Sequence, residues 1–387
     1  MNLKLLHIIS DEKFPDAAYR QFEEVAPDAS IFMLPGKKAP IRYLKEIVPV
    51  RVSKLSFLNP WFIKSLERYD AVILHSMSGF ALELIGRASR ETKFVWIGMG
   101  YDYYDLIYKK PHDMLGHETE SIVKEVMPDF GKKGPRNPIK KLLRSFLYSN
   151  ARKKKELIQR ADVFCPVLPL ESESLKSALG QFQPKTVAWN YGAQSSLIDG
   201  GSDLEFVSGN NILVGNSATP TNNHVEVFRR LIHIQLPESS NIIVPLSYGD
   251  ARYREKIIKL GYELFGERFQ PITEFVDFDR YVSLLRSCSV MVMNHKRQQG
   301  AGNVGIGVYL GAKVFVNPNS PLYEYYRDAG MIVFSVTDLE EELTEGFGGL
   351  SEGLAICNRE TLQQERGREA HLRKTENLIA EIRQLAR

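Results

Sequence analysis

Short apolar segments recur along the whole chain and alternate with amphipathic or polar stretches. Runs of four to six apolar residues between turn-forming residues are typical of strands in a parallel sheet that is covered on both faces. Such segments occur at LKLLHII (3–9), AVILH (71–75), FVWIG (94–98), VFCPVL (163–168), NILVG (211–215), NIIVP (241–245), VMVMN (290–294), KVFVN (313–317) and MIVFS (331–335).

Helical patterns such as HVEVFRRLIHI (224–234) lie between these segments, and the alternation predicts right-handed βαβ units. A polar, glycine-rich segment at 195–206 separates two sets of strands. The pattern therefore predicts an α/β fold with two Rossmann-like domains. We place the N-terminal domain at 1–195, the C-terminal domain at 205–358 and a final amphipathic helix at 359–387.

Composition narrows the class of protein. The chain has 387 residues, enough for two domains, and its net charge of +3 does not indicate a globally basic nucleic-acid binder. Three scattered cysteines without a CxxC pair argue for a reducing compartment and against a disulfide framework or a zinc site. The N-terminus is too short and polar for a signal peptide, and no apolar run approaches the roughly 20 residues that span a bilayer. We expect a cytoplasmic protein that meets membranes only at its surface.

Polar loops follow the strands of the C-terminal half, and ligands of open parallel sheets bind beyond the carboxyl ends of strands. In LVGNSATPTNNH (213–224), Asn216 and Ser217 are candidates for lining a ligand crevice. In VPLSYGD (244–250), Tyr248 is either available to stack on a base or simply exposed. The alternative for the first loop is that it only precedes a helix capped by Thr221, Asn222 or Asn223.

The stretch RQQGAGNVGIG (297–307) places four glycines between a predicted strand and a predicted helix. Backbone N–H groups at a helix start favour anions, and glycines let a phosphate approach the backbone. The spacing fits neither a Walker A loop nor the dinucleotide fingerprint, so a tight structural turn is the alternative. Its place after a strand, third in a series of such loops, favours phosphate. The candidate residues are Arg297, Gln298, Gly300, Gly302 and Asn303.

Candidates for acid–base chemistry occur in the N-terminal half. His75 follows one predicted strand, and Asp102 follows the next. A carboxylate at the end of a strand could act as a general base, whereas a turn Asp and a structural His are the alternatives. The DxD of VDFDRY (276–281) directly precedes a helical pattern, so Asp277 or Asp279 is expected to cap that helix. No other metal-ligand cluster is apparent, and we predict neither a metal site nor a bound cofactor.

A basic segment at 131–155 contains ten Lys or Arg residues and no acidic residue. Its apolar residues recur at helical spacing, which is typical of a helix on an anionic membrane surface. The alternative is a helix that packs its apolar stripe on the protein core. Nucleic acid is not an expected partner, because aromatic residues are sparse here and the net charge is low. The apolar stripe consists of Ile139, Leu142, Leu143, Phe146 and Leu147.

These motifs together resemble glycosyltransferase family 56. In the C-terminal half the resemblance rests on VGNS (214–217), VP (244–245), YxxLLR (281–286) and RQQGxG (297–302), with Asn222, His224 and Tyr248. In the N-terminal half it rests on His75 and on the pattern WxxxGxDxYxL from Trp96 to Leu106.

The resemblance implies a GT-B architecture, with two Rossmann-like domains that face each other and a C-terminal helix that returns to the first domain. It also implies metal-independent transfer of 4-acetamido-4,6-dideoxygalactose (Fuc4NAc) from TDP to an undecaprenyl-diphosphate-linked glycan of enterobacterial common antigen. The nucleotide-sugar would bind the C-terminal domain, and the lipid-linked acceptor would bind the N-terminal domain at the inner face of the cytoplasmic membrane.

The sequence departs from the family pattern in two places. The region 107–160 diverges, and no Glu occurs between Arg297 and Asn317, where many retaining GT-B enzymes bind the ribose. Three alternatives therefore stay open: a GT-B enzyme with a UDP- or GDP-sugar donor, a non-catalytic protein that binds nucleotide-sugars or anionic lipids, and an α/β protein that binds nucleic acid.

Overall fold

A computed structural model describes residues 3–10, 14–36, 40–131, 153–192, 198 and 205–386. The chain divides into two compact units. Unit 1 comprises the described residues within 1–107, 133–195 and 366–387, and unit 2 comprises those within 108–132 and 196–365. The predicted basic segment at 131–155 lies outside the described residues, apart from its first residue and its last three.

Unit 1 contains a seven-stranded parallel sheet in the order β3-β2-β1-β4-β5-β6-β7. The central strands are buried along their whole length, which is why they are apolar at every position rather than at alternate ones. The strands are β1 (Leu5–Ile8), β2 (Ser30–Pro35), β3 (Val50–Val52), β4 (Ala71–Leu74), β5 (Phe94–Ile97), β6 (Val163–Cys165) and β7 (Lys185–Thr186).

Unit 2 contains a six-stranded parallel sheet in the order β10-β9-β8-β11-β12-β13. If the strands are numbered within each unit, this order is the same as that of the first six strands of unit 1. In both units the first three strands are added toward one edge of the sheet, and the later strands are added toward the other edge. The strands are β8 (Asn211–Val214), β9 (Ile242–Pro245), β10 (Phe269–Ile272), β11 (Cys288–Met293), β12 (Lys313–Val316) and β13 (Phe334–Ser335).

Helices connect the strands and cover the sheets. They are α1 (Pro15–Val25), α2 (Pro60–Ser65), α3 (Gly79–Arg87), α4 (Tyr104–Ile107), α5 (His117–Val126), α6 (Lys154–Leu157), α7 (Glu171–Leu179), α8 (His224–Leu231), α9 (Ala251–Phe265), α10 (Phe278–Arg286), α11 (Ala301–Tyr309), α12 (Pro321–Asp328), α13 (Leu339–Glu345), α14 (Glu352–Arg366) and α15 (Arg368–Leu385). In the part of the chain that the structure describes, none of them is long and apolar enough to cross a membrane.

Two boundaries differ from those placed on the sequence. The helix placed at 359–387 is interrupted at Gly367, because glycine has the lowest helix propensity after proline. The first part, α14, belongs almost entirely to unit 2, and the second part, α15, packs on α1 within unit 1. The segment 108–132, placed in the N-terminal domain, belongs to unit 2 because Val123 of α5 is buried in the core of that unit.

Candidate functional site

Three polar loops of unit 2 follow strands that are neighbours in the sheet. Strand β8 lies between β9 and β11, so the residues that follow these three strands emerge side by side. We call them the VGNS loop (215–223, after β8), the tyrosine loop (246–250, after β9) and the glycine-rich loop (294–300, after β11). The topology thus brings together the loops that the sequence analysis had singled out separately.

Asn222 is the centre of a hydrogen-bond network within the VGNS loop. Its Oδ1 accepts from the backbone N–H of Asn216 at 2.7 Å and lies 2.9 Å from Nε2 of His295. Its Nδ2 donates to Oγ of Ser217 at 3.1 Å and to Oγ1 of Thr219 at 2.8 Å. Because Asn222 is buried and uses both ends of its amide, this side chain fixes the shape of the loop.

Gln299 connects the glycine-rich loop to the VGNS loop. Its Nε2 donates to Oδ1 of Asn216 at 3.2 Å and to Oγ1 of Thr219 at 2.9 Å. Its Oε1 accepts from Oγ1 of Thr221 at 2.6 Å. Side chains of both loops therefore hold one another, which is the kind of support that a precise binding site requires.

The tyrosine loop joins the same network. The hydroxyl of Tyr248 accepts from Nδ2 of Asn216 at 3.2 Å, and the backbone of Gly249 pairs with that of Ala218. Tyr248 is nevertheless 57% exposed, so its ring lies at the surface of the site rather than in the core. A ring in this position can contact a bound base or sugar.

Helix α11 begins at the edge of this network. Its N-cap is Gly300, whose φ of +68° strains any residue with a Cβ, and there is no acidic residue in the first turn. A Cβ built on Gly300 would lie 3.5 Å from Cε1 of His295 and 3.6 Å from Cγ of Asn216, so the start of the helix adjoins both loops. The second and third residues of the helix are Gly302 and Asn303, and Nδ2 of Asn303 donates to the hydroxyl of Tyr281 at 2.9 Å.

Arg297 brings a cation to a network that is otherwise uncharged. Its Nη1 donates to the carbonyl of Gln298, which is itself buried. Burial lowers the pKa of His295 well below its ordinary value, and the nearby Arg297 charge lowers it further. The imidazole is therefore neutral, and its Nε2 can carry the proton that Asn222 accepts.

Two predicted helix caps have different outcomes. Asp277 caps α10 by accepting from the N–H of Arg280 at 3.0 Å, which confirms that prediction. Asn223 is the N-cap residue of α8, but its side chain does not cap the helix. That side chain accepts from the N–H of Gly116 at 2.8 Å and donates to the carbonyl of Asn294 at 2.9 Å, because tertiary partners replace the local one.

In unit 1, Asp102 is buried and accepts three hydrogen bonds. Its Oδ2 accepts from the N–H of Met77 at 2.7 Å and from Nε1 of Trp96 at 2.8 Å, and its Oδ1 accepts from the N–H of Met99 at 2.8 Å. Burial raises the pKa of Asp102, although these hydrogen bonds oppose the shift. The carboxylate therefore ties the loop after β4 to the loop after β5.

His75 is also buried in unit 1, directly after β4. Its Nδ1 lies 2.7 Å from the hydroxyl of Tyr191, and its Nε2 lies 2.9 Å from Nδ1 of His7. Burial lowers the pKa of His75 to about 3, so the ring is neutral near pH 7. Asp102 holds the backbone only two residues further along, so both candidates belong to one edge of the sheet.

Sequence reasoning missed His295 and Gln299 as site residues, and it treated Asn222 only as a possible cap and a family match. A usable signal existed, because His295 follows an apolar run as His75 does, and Gln299 lies inside RQQGxG. For metals, the described part of the chain contains no group of three or more His, Cys, Asp or Glu residues that could hold an ion.

Comparison with known families identifies one that matches this part of the chain. Residues 203–348 match the family described as 4-alpha-L-fucosyltransferase, glycosyl transferase group 56. The match covers the VGNS loop, the tyrosine loop, the glycine-rich loop and α11. The resemblance to glycosyltransferase family 56 is thereby confirmed over these residues.

Solved structures share the fold over nearly the whole chain. HepE from Anabaena, in complex with UDP and glucose, matches with a TM-score of 0.61 and 13% identity over 99% of both chains. A glycosyltransferase from Rickettsia africae gives 0.64 and 11% identity over 98% of both. The lipopolysaccharide outer core galactosyltransferase WaaB gives 0.62 and 12% over 98% of this chain and 99% of that one. The predictions of a GT-B fold with two parallel-sheet α/β domains and of a glycosyltransferase are confirmed.

Proposed function

We propose that this glycosyltransferase transfers a deoxyamino sugar of the Fuc4NAc type from a TDP-sugar to an undecaprenyl-diphosphate-linked glycan during surface polysaccharide synthesis. The observation that carries the proposal is the network at the start of α11, in which Asn222, His295 and Gln299 join the VGNS loop to the glycine-rich loop. The TDP-sugar and the lipid-linked acceptor come from the resemblance to family 56.

The proposed donor site uses charge and backbone rather than a metal ion. Arg297 and the first N–H groups of α11 would neutralise the diphosphate as the sugar leaves, because developing anionic charge is stabilised by fixed donors and cations. Gly300 and Gly302 would let the phosphates approach the backbone closely. Asn216, Ser217, Gln298 and Asn303 would orient the phosphate oxygens, and Tyr248 would contact the base or the sugar.

The proposed acceptor chemistry uses unit 1. Asp102 would take the proton from the acceptor hydroxyl, and His75 is the second candidate for that role. A raised pKa makes a carboxylate a stronger base, and burial has this effect on Asp102. Its hydrogen bonds to Met77 and Met99 also give Asp102 a positioning role, because they fix two loops at the carboxyl ends of β4 and β5.

The proposed location is the inner face of the bacterial cytoplasmic membrane, where lipid-diphosphate acceptors are glycosylated. The cationic residues of 131–155 would bind anionic lipid headgroups. This partner prediction falls almost entirely outside the described residues, so it rests on the sequence pattern alone.

The test is a transfer reaction with a panel of TDP-sugars and an undecaprenyl-diphosphate-linked glycan, with products read by mass. We expect a product heavier than the acceptor by one deoxyamino sugar. UDP-sugars belong in the same panel because the Anabaena relative was solved with UDP. Transfer from a UDP-sugar alone would contradict the TDP proposal and support the alternative donor. Binding of a nucleotide without transfer or donor hydrolysis would contradict catalysis.

A further inference from the structure

Unit 1 exposes a group of large apolar side chains that the proposed transfer reaction does not use. They lie between β3 and β4, in SKLSFLNPWFIKSL (53–66). Trp61 in α2 is 83% exposed, and Leu55 and Leu58 are also exposed. The neighbouring edge strand β3 adds Val50. A cluster of exposed aromatic and aliphatic side chains on a folded unit marks a surface that contacts something else.

The charge around these side chains is strongly positive. Residues 41–68 contain six Lys or Arg residues and two Glu residues, and 53–66 contains no acidic residue at all. The cations are Arg42, Lys45, Arg51, Lys54, Lys64 and Arg68, and the acids are Glu46 and Glu67. Both carboxylates are engaged, since Glu67 pairs with Lys64 at 2.6 Å and Glu46 pairs with Arg20.

A shallow apolar cavity of about 490 Å³ opens beside the same segment. Its apolar lining includes Phe57, Leu58 and Ile63, and its charged lining consists of Lys64, Glu67 and Arg87. The Arg87 guanidinium stacks 5.4 Å from the centre of the Phe57 ring. An apolar cavity with two cations and one acid among its lining residues suits a ligand that has acyl chains and anionic headgroups.

This surface lies away from the strand ends that carry Asp102 and His75. Helix α3 starts just beyond the carboxyl end of β4 and ends at Arg87, roughly 13 Å further along its axis. The cavity beside Arg87 is therefore displaced toward the amino ends of the strands. Contact at this surface leaves the carboxyl ends of the unit 1 strands accessible.

We propose that the exposed residues of 41–68, which we call the Trp61 surface, dock unit 1 on an anionic lipid bilayer. Trp61, Leu55 and Leu58 enter the interfacial region, where an amphipathic indole ring is favoured, and the surrounding cations contact the headgroups. The excess of positive charge favours an anionic bilayer over a neutral protein partner. Residues 41–68 contain six cations and two acids, and a neutral partner would not be attracted by this excess. The proposal stands on residues separate from 131–155 and does not depend on the identity of the donor or the acceptor.

Tryptophan fluorescence gives a direct test, because Trp96 and Trp189 are buried and Trp61 is exposed. The full chain is mixed with vesicles of zwitterionic lipid or with vesicles that contain an anionic lipid, in the absence of nucleotide. We expect a blue shift of Trp61 emission and co-sedimentation with the anionic vesicles only, both lost at high salt. Co-sedimentation without the blue shift would assign binding to another segment and overturn the proposal.

Variants make the test specific. Leu58→Ser and Leu354→Ser remove leucines of equal exposure, 45% and 44%, from the Trp61 surface and from α14 of unit 2. We expect Leu58→Ser and Trp61→Ser each to weaken partitioning onto anionic vesicles about tenfold, and Leu354→Ser to leave it unchanged. Equal effects of the two leucine variants would overturn the proposal. Loss of a dimer in Trp61→Ser on gel filtration, with no vesicle binding by the parent chain, would instead assign the surface to a second copy.

Failure of this proposal is distinguishable from failure of the proposed function. Nucleotide binding and donor hydrolysis in solution do not use the Trp61 surface, so both should be the same in Trp61→Ser as in the parent chain. A parent chain that binds vesicles but transfers no sugar would contradict the proposed function and leave the docking surface in place.

Discussion

The six strands of unit 2 have the same order as the first six strands of unit 1, but the residues that follow the central strands differ between the units. In each unit a buried histidine follows the fourth strand, His75 after β4 and His295 after β11. His75 contacts His7 and Tyr191 through its two ring nitrogens. His295 contacts two asparagine side chains, and among the described residues its Nδ1 has no hydrogen-bond partner.

The difference lies in what the polar side chains are used for. In unit 2, Asn216, Asn222 and Gln299 bond to one another across two loops, and an exposed Tyr248 and a helix start adjoin them. In unit 1, Asp102 bonds to backbone N–H groups and to a buried indole. The strand ends of unit 2 therefore carry a polar surface, whereas those of unit 1 are held together by buried hydrogen bonds. Substitutions at the two places should have different consequences.

The largest effect is expected from Asp102→Asn. If the carboxylate takes the acceptor proton, loss of a general base lowers kcat about 10²- to 10⁴-fold. A pH profile separates this role from positioning. A catalytic carboxylate gives a limb in which activity falls as pH drops through its raised pKa, and that limb disappears in the variant. Near-normal kcat in Asp102→Asn would show that another group is the base.

Arg297→Ala should have the next largest effect. Removing one fixed donor to a developing anion costs about 10²- to 10³-fold in turnover. Arg297→Lys is the matched control, because lysine keeps the charge but loses the planar pair of donors, so we expect an intermediate rate. Steady-state kinetics with the preferred donor give both numbers. Equal activity of the alanine variant and the parent would remove Arg297 from the site.

Asn222→Ala tests the network of unit 2 rather than its charge. The change leaves the N–H of Asn216 and the ring of His295 without their shared acceptor, at a cost of about 1–3 kcal/mol. We expect a lower melting temperature and a donor KM raised about tenfold. Asn210→Ala is the control, since within the described ranges that exposed side chain bonds to Ser239 and lies at the other end of β8. Unchanged donor KM in Asn222→Ala would contradict the preorganised site.

The last prediction concerns acid stability rather than activity. Burial lowers the pKa of His75 and of His224 to about 3, so the unfolded chain binds more protons than the folded chain between that value and about 6.5. The free energy of unfolding should therefore decrease as pH falls through this window. His224→Gln removes one of these titrating groups. We expect the slope of the free energy of unfolding against pH to become shallower by about 1.4 kcal/mol per pH unit. An unchanged slope would show that His224 is protonated in the folded state.

The central strands could be predicted from sequence because burial on both faces makes them apolar throughout. The strands that were missed are at or near the sheet edges, namely β2, β3, β7 and β10. β7 has only two residues, and β10 contains a proline and exposed positions. Pairing with a neighbour, rather than an apolar run, defines β3, β7 and β10, and a single sequence does not display pairing. β2 does contain an apolar run, IFML (31–34), which the sequence analysis did not use.

The sequence predicted which loops form the candidate site, but it did not predict the hydrogen bonds that connect them. Asn216, Tyr248 and the glycine-rich loop were identified because they follow apolar runs. Asn222, the centre of the network, is of a residue type that also caps helices. Only its contacts within the loop and to His295 distinguish the two roles. The burial of Asp102 was likewise hidden, because the N–H groups that it binds belong to residues spread over 77–99.

The most direct test of this division of roles is calorimetric titration of TDP into the parent chain, Arg297→Ala and Asp102→Asn under identical conditions. We expect Asp102→Asn to bind TDP with the affinity of the parent chain, and Arg297→Ala to bind it at least about tenfold more weakly, because a charge-assisted contact to phosphate is worth about 1.5–3 kcal/mol. Tight binding by Arg297→Ala together with lost binding by Asp102→Asn would contradict the assignment of the nucleotide to unit 2.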